Sequence, residues 1–132
     1  MQLSQQKLLF PQEIEVWYVL PAIRKALTLE LIKAGKSQKD AAKLLGITEA
    51  AVSHYKKNKR AHDFSLSELE PEVRKSVDSI IHNPSMLFSE IMRINEHIKT
   101  SGLFCRIHRS KSWTPENCEK ICTYGGGSHG RR

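Results

Sequence analysis

Apolar residues recur at three- and four-residue intervals along most of the chain, and few stretches show the two-residue rhythm of a β-strand. Pro21 can open a helix at its first turn, where a missing N–H costs nothing. Ile23, Ala26, Leu27, Glu30, Leu31 and Ala34 then follow, mostly apolar at three-to-four spacing, and Gly35 ends that helix. Ser37 is a favourable N-cap, and Asp40 three residues later suits the positive helix end, so a second helix is expected to about Leu45. Gly46 breaks it, Ile47 points inward, and Thr48 caps a third helix through about Lys57. Beyond Arg60 the pattern resumes as a separate unit. Ser65-Leu66-Ser67-Glu68 offers capping signals, and Pro71 can start a helix through about His82. Asn83-Pro84 interrupts it, because a residue before proline avoids the helical region. A further helix to about Ser101 carries Leu87, Ile91, Ile94 and Ile98, with Gly102 as its stop.

The spacing from Gln38 to Lys57 is more specific than a run of helices. Two short helices separated by a three-to-four-residue turn with glycine make a helix-turn-helix. Ala42 is small where the two helices cross, and Gly46 allows a positive φ in the turn. Leu45, Ile47, Val52 and Tyr55 supply the apolar side that holds the third helix on the second. Glu49, Ala50, Ser53, His54 and Lys57 are polar or small and face away from it. A DNA-reading helix needs this division, with one face anchored and the other free to enter the major groove.

Charge strengthens this picture. The chain has 132 residues and a formal net charge of +7, which favours a polyanionic partner. Between Lys33 and Arg60 the basic residues are Lys33, Lys36, Lys39, Lys43, Lys56, Lys57, Lys59 and Arg60, against only Asp40 and Glu49. A solvated basic face is the bland explanation of such a run, and it weakens beside the helix-turn-helix spacing.

The stretch Ser37-Gln-Lys-Asp-Ala-Ala-Lys-Leu-Leu-Gly-Ile-Thr-Glu-Ala-Ala-Val-Ser-His-Tyr resembles the Cro/lambda-repressor-like (xenobiotic-response-element type) helix-turn-helix family. More narrowly, Val16-Trp17-Tyr18-Val19-Leu20-Pro21-Ala22-Ile23-Arg24 and Cys105-x-x-His108 look like a group of small archaeal predicted regulators. The resemblance implies that Gln38, with Lys39 beside it, opens the second helix where the family contacts phosphate. It places Thr48, Glu49, Ala50, Ser53 and His54 near base edges or the backbone. Lys56, Lys57, Lys59 and Arg60 would grip phosphates, which position a protein without reading sequence.

All three cysteines of the chain lie in one segment with a histidine, as Cys105, His108, Cys118 and Cys122. Thr114-Pro115-Glu116 looks like the cap, first position and acidic first turn of a short helix. Cys118 and Cys122 would then share one face, and Cys105 and His108 would pair in a loop before it. Two close pairs can make a four-ligand site, and zinc accepts three cysteines and one histidine in tetrahedral geometry. An iron–sulfur cluster is the alternative, because three cysteines can hold a cluster with histidine as fourth ligand. It would make the protein a redox or iron sensor. The cysteines can also be small packing residues with His108 incidental. The other histidines (His62, His82, His97, His129) are isolated and read as surface or packing.

The fold class expected is all-α. It comprises a helix-turn-helix bundle (1–62), a helical segment able to dimerise (63–102), a Cys/His metal-binding knuckle (103–124) and a disordered tail (125–132), in which Arg131 and Arg132 add weak attraction to nucleic acid. Leu8, Leu9, Phe10, Ile14 and Trp17 near the start would pack on the core or across a dimer. The opening residues lack the features of a signal peptide and no apolar run would span a bilayer, so a cytoplasmic protein is expected. No phosphate loop, nucleophile elbow or H-E-x-x-H zinc motif occurs, which argues against an enzyme. Together these features predict a transcription regulator that binds double-stranded DNA, as a homodimer, with zinc or a cluster in its C-terminal site. A small cluster-bearing electron carrier or metal-binding adaptor is the rival of another class. RNA is disfavoured because stacking aromatics are sparse. The sequence names no small-molecule effector.

Overall fold

Ile23, Leu27 and Leu31 recur every fourth residue and are fully buried along one side of α2 (Leu20–Lys33). In the computed structural model, which describes residues 7–61 and 64–124, this stripe is where α3 (Gln38–Leu45), α4 (Glu49–Lys56) and α5 (Glu70–His82) all pack. Thr28 is buried on the same helix, and its hydroxyl donates to the Arg24 carbonyl at 2.7 Å, so that hydroxyl is not stranded. The described residues contain helices and turns and no strand, as an all-α chain should. Their helices include none long and apolar enough to cross a membrane.

Three consecutive helices end in the same way. At the end of α2 the Lys36 N–H reaches the Leu31 carbonyl (3.0 Å) and the Gly35 N–H reaches Ile32 (2.9 Å), with Gly35 at φ +98°. At the end of α3, Ile47 reaches Ala42 (3.0 Å) and Gly46 reaches Lys43 (3.3 Å), with Gly46 at φ +67°. After α4, Lys59 reaches His54 (2.7 Å) and Asn58 reaches Tyr55 (3.1 Å), with Asn58 at φ +57°. Each is a Schellman closure, which satisfies carbonyls a helix end leaves open. Glycine fills the left-handed position without strain, and asparagine tolerates it.

The compact units are Leu20–Ile94 and, separately, Met1–Val19 with Asn95–Arg132. In the first, α5 and the start of α6 (Leu87–Thr100) are tied by a polar cluster. The Ser76 hydroxyl donates to Glu90 (2.6 Å), and Arg93 donates to Ser76 (2.8 Å), to Glu90 (3.1 Å), and to the Glu72 carboxylate and carbonyl. Buried Ser76 and Glu90 are thereby partnered, as low-dielectric burial requires.

In the second unit α1 (Pro11–Ile14) packs on α7 (Leu103–Lys111). Ile14, Ile98, Phe104 and Ile107 are buried there. The expectation for the early apolar residues divides: Leu9 and Ile14 are core, while Leu8, Phe10 and Trp17 are exposed. A π turn occupies Glu15–Val19, immediately before α2. Pro21 explains it, because it has no N–H for the Trp17 carbonyl and its ring crowds that oxygen. Pro21 therefore does not open a helix after a loop; it follows residues already helical from Pro11.

Two other boundaries need correction. Cys105 and His108 lie on α7, not in a loop, since Leu103, Phe104 and Ile107 give that segment a buried helical face. The last helix among the described residues, α8 (Cys118–Ile121), begins at Cys118 rather than at Thr114-Pro115-Glu116. The expected tail 125–132, His62 and His129 lie outside the described residues.

Replacing Leu27 with alanine should cost about 2–5 kcal/mol, since it empties the point shared by the helices packed on α2. Urea unfolding followed by circular dichroism measures this. A loss below about 1 kcal/mol would show that the stripe is not the core.

Candidate functional sites

The first candidate surface is built on α3 and α4. The Ser37 hydroxyl accepts from the Asp40 N–H at 3.0 Å, and the Thr48 hydroxyl accepts from the Ala51 N–H at 3.0 Å. These caps start the two helices at the residues the sequence marks. Ala41, Ala42 and Leu45 of α3, and Ala51, Val52 and Tyr55 of α4, are buried; Ile47 in the turn is half-buried. On α4, Glu49 and Ala50 are exposed, and Ser53 and His54 are half-buried. Thr48 at its start is exposed, while Gln38 at the start of α3 is half-buried and Lys39 exposed.

Lys56, Lys57, Lys59 and Arg60 are all exposed, and no ion pair among the described residues occupies them. Lys33 differs, because it pairs with Glu70 (3.4 Å) and Glu30 (3.8 Å), so it belongs to the packing of α2 with α5. Lys25 was not marked by the sequence. Its ammonium donates to the Asn58 side-chain carbonyl and to the Ala61 carbonyl (3.4 Å), bracing the exit from α4. Ala61 there has φ +54°, a strained conformation for a residue with a Cβ. Lys25 lies on the helix face beside the core stripe, which hides a role that depends on a partner 33 residues away.

The second candidate is the cysteine–histidine cluster. Cys105 and His108 are one turn apart on α7, Cys118 starts α8, and Cys122 ends it with extended backbone (φ −87°, ψ 130°). All four side chains line one cavity of about 110 Å³. None of the cysteines is in a disulfide. Burial pushes the Cys118 thiol above its ordinary range, and the neighbouring thiols of Cys122 and Cys105, a hydrogen bond with Cys122, and Glu119 push in the same direction. The Cys118 sulfur therefore feels both of the others.

His108 is buried, and its Nε2 lies 2.7 Å from the Leu9 carbonyl oxygen. In this conformation no three His, Cys, Asp or Glu side chains among the described residues are arranged to hold a metal ion. The predicted ligands are thus gathered around one cavity without being in ligating geometry. Their chemistry fits zinc: three thiols and an imidazole are an accepted set, and a cation would oppose the mutual repulsion of thiolates.

Comparison with known proteins finds no matching family model, no matching curated protein and no matching solved structure. The helix-turn-helix resemblance therefore rests on its residues alone.

Alkylation of Cys118 should rise with pH through a midpoint above that of an ordinary thiol, since its neutral form is favoured in the folded chain. Cys122→Ser should move that midpoint down by removing a neighbouring thiolate. Mass-spectrometric alkylation rates check both, and an ordinary midpoint unmoved by Cys122→Ser would mean the sulfurs are not coupled.

Proposed function

We propose that the chain is a sequence-specific, double-stranded-DNA-binding transcription regulator in which α3 and α4 form a helix-turn-helix and α4 enters the major groove. The supporting observation is the two-sidedness of α4: Ala51, Val52 and Tyr55 are buried while Glu49, Ala50, Ser53 and His54 point elsewhere with some or full exposure. In this reading Thr48, Glu49, Ala50, Ser53 and His54 approach base edges, where donor and acceptor patterns distinguish base pairs. Gln38 and Lys39 meet the backbone at the start of α3. Lys56, Lys57, Lys59 and Arg60 neutralise phosphates at the far end of α4, and Lys25 holds that end by its bond to Asn58.

The protein acts in the cytoplasm as a homodimer, which lets one small unit read two half-sites. Phe88 and Met92, exposed one turn apart on α6, are the apolar residues that favour a second copy. Cys105, His108, Cys118 and Cys122 hold zinc, which would supply a structural cross-link between α7 and α8 when bound. Metal and acid-labile sulfide analysis on anaerobically purified protein separates zinc from an iron–sulfur cluster, and neither metal at stoichiometric level would remove this part of the reading.

Lys57→Glu with Arg60→Glu should nearly abolish binding to any duplex, and Ser53→Ala or His54→Ala should relax sequence preference by about 1–3 kcal/mol. For about four phosphate contacts per copy, and so about eight per dimer, raising salt from 50 to 200 mM should weaken binding about 10⁴-fold. Fluorescence anisotropy with labelled duplexes reads these effects. Unchanged affinity in the charge-reversed protein would sink the docking model.

A further inference from the structure

His108 does two things at once. A carbonyl oxygen only accepts, so the 2.7 Å contact with Leu9 requires the proton to be on Nε2. In neutral imidazole this leaves the lone pair on Nδ1, the nitrogen that a metal needs. The ring is buried and held tilted against Phe104, with centroids 6.3 Å apart. Leu9 is gripped from its other side, where its N–H donates to the Ser112 hydroxyl at 2.9 Å. The Trp113 N–H donates to the Lys7 carbonyl at 2.9 Å. The segment from Lys7 to Leu9 is thus hydrogen-bonded along Ser112 and Trp113, between the two halves of the cysteine cluster in sequence. A second cavity, about 390 Å³, has Leu9, His108, Cys118 and Cys122 in its wall.

We propose that metal capture by Cys105, His108, Cys118 and Cys122 and docking of the segment Lys7–Phe10 are linked through this imidazole, with Nδ1 as the ligand while Nε2–H stays on the Leu9 carbonyl. The proposal rests on the metal reading above. Its physical basis is that ligating histidines characteristically give their other N–H to a carbonyl or carboxylate, which fixes the tautomer and raises ligand basicity. A metal on Nδ1 holds the proton on Nε2, and so holds the donor that Leu9 accepts. Linkage is reciprocal: whatever loosens the Leu9 segment must weaken metal binding. The site then reports metal occupancy to a stretch of chain about a hundred positions away, just ahead of α1.

The test uses the full chain, reduced and stripped of metal, and titrated with Zn²⁺ against a chromophoric chelator. Amide exchange at Leu9 and Trp113 is followed with and without zinc. A long-range 1H–15N spectrum of the zinc-loaded protein assigns the two nitrogens of His108. The expected results are one zinc per chain, exchange at both amides slowed by about fivefold or more, Nε2 protonated and Nδ1 bound to metal. Ser112→Ala, which removes the hydroxyl that holds Leu9 and touches no proposed ligand, should weaken zinc binding by a similar factor. Failure to bind zinc would overturn the metal reading and the linkage with it. Zinc bound with exchange unchanged, or carried on Nε2, would overturn the linkage while the metal site stands.

Discussion

The face of α2 that carries Ile23, Leu27 and Leu31 constrains the whole Leu20–Ile94 unit. Three helices pack on it, and two of them are too short to be stable alone, since isolated helices below about 12–15 residues are marginal in water. α3 and α4, of eight residues each, depend on burying Ala41, Ala42, Leu45, Ala51, Val52 and Tyr55. The exposed face of α4 is a consequence of that burial. With one side committed to the core, the other can remain polar, small and available.

Helix ends perform the second task. A short helix spends a large part of its backbone on unsatisfied termini. Here the Ser37 and Thr48 hydroxyls close two beginnings, while Gly35, Gly46 and Asn58 close three ends. Sharp closure sets where α4 starts and stops relative to the packed residues, so Glu49, Ala50, Ser53 and His54 keep a defined register. The Lys25 bond to Asn58 ties the last of these closures back to α2. The basic residues that follow, Lys59 and Arg60, leave the helix from a braced point.

Local signals in the sequence were legible where the structure uses local chemistry. Ser37, Gly46 and Thr48 announce their roles because caps and left-handed turns depend on the residue itself. Leu87, Ile91, Ile94 and Ile98 announce α6 by spacing, Pro71 announces α5 by its place in the first turn, and Asn83-Pro84 marks the break between them. Asn58 was missed because asparagine is the second choice for a position glycine usually marks. The buried face of α7 was present in the order Leu103, Phe104, Ile107, His108, but the close Cys105 and His108 spacing suggested a chelating loop instead. Arg93 with Glu72, Ser76 and Glu90, and His108 with Leu9, join residues far apart in the chain. No periodicity in one sequence carries such pairings. Cys105, Cys118 and Cys122 line one cavity with His108, although convergence on an ion is not a property of this conformation.

In the proposed function α4 reads base sequence in double-stranded DNA. Repeated selection of bound duplexes from a randomised library, using the full chain at low salt, tests it most directly. The reading predicts enrichment of a defined motif, as two half-sites about one helical turn apart if the protein binds as a dimer. Bound duplexes no different in sequence from the starting library would contradict it.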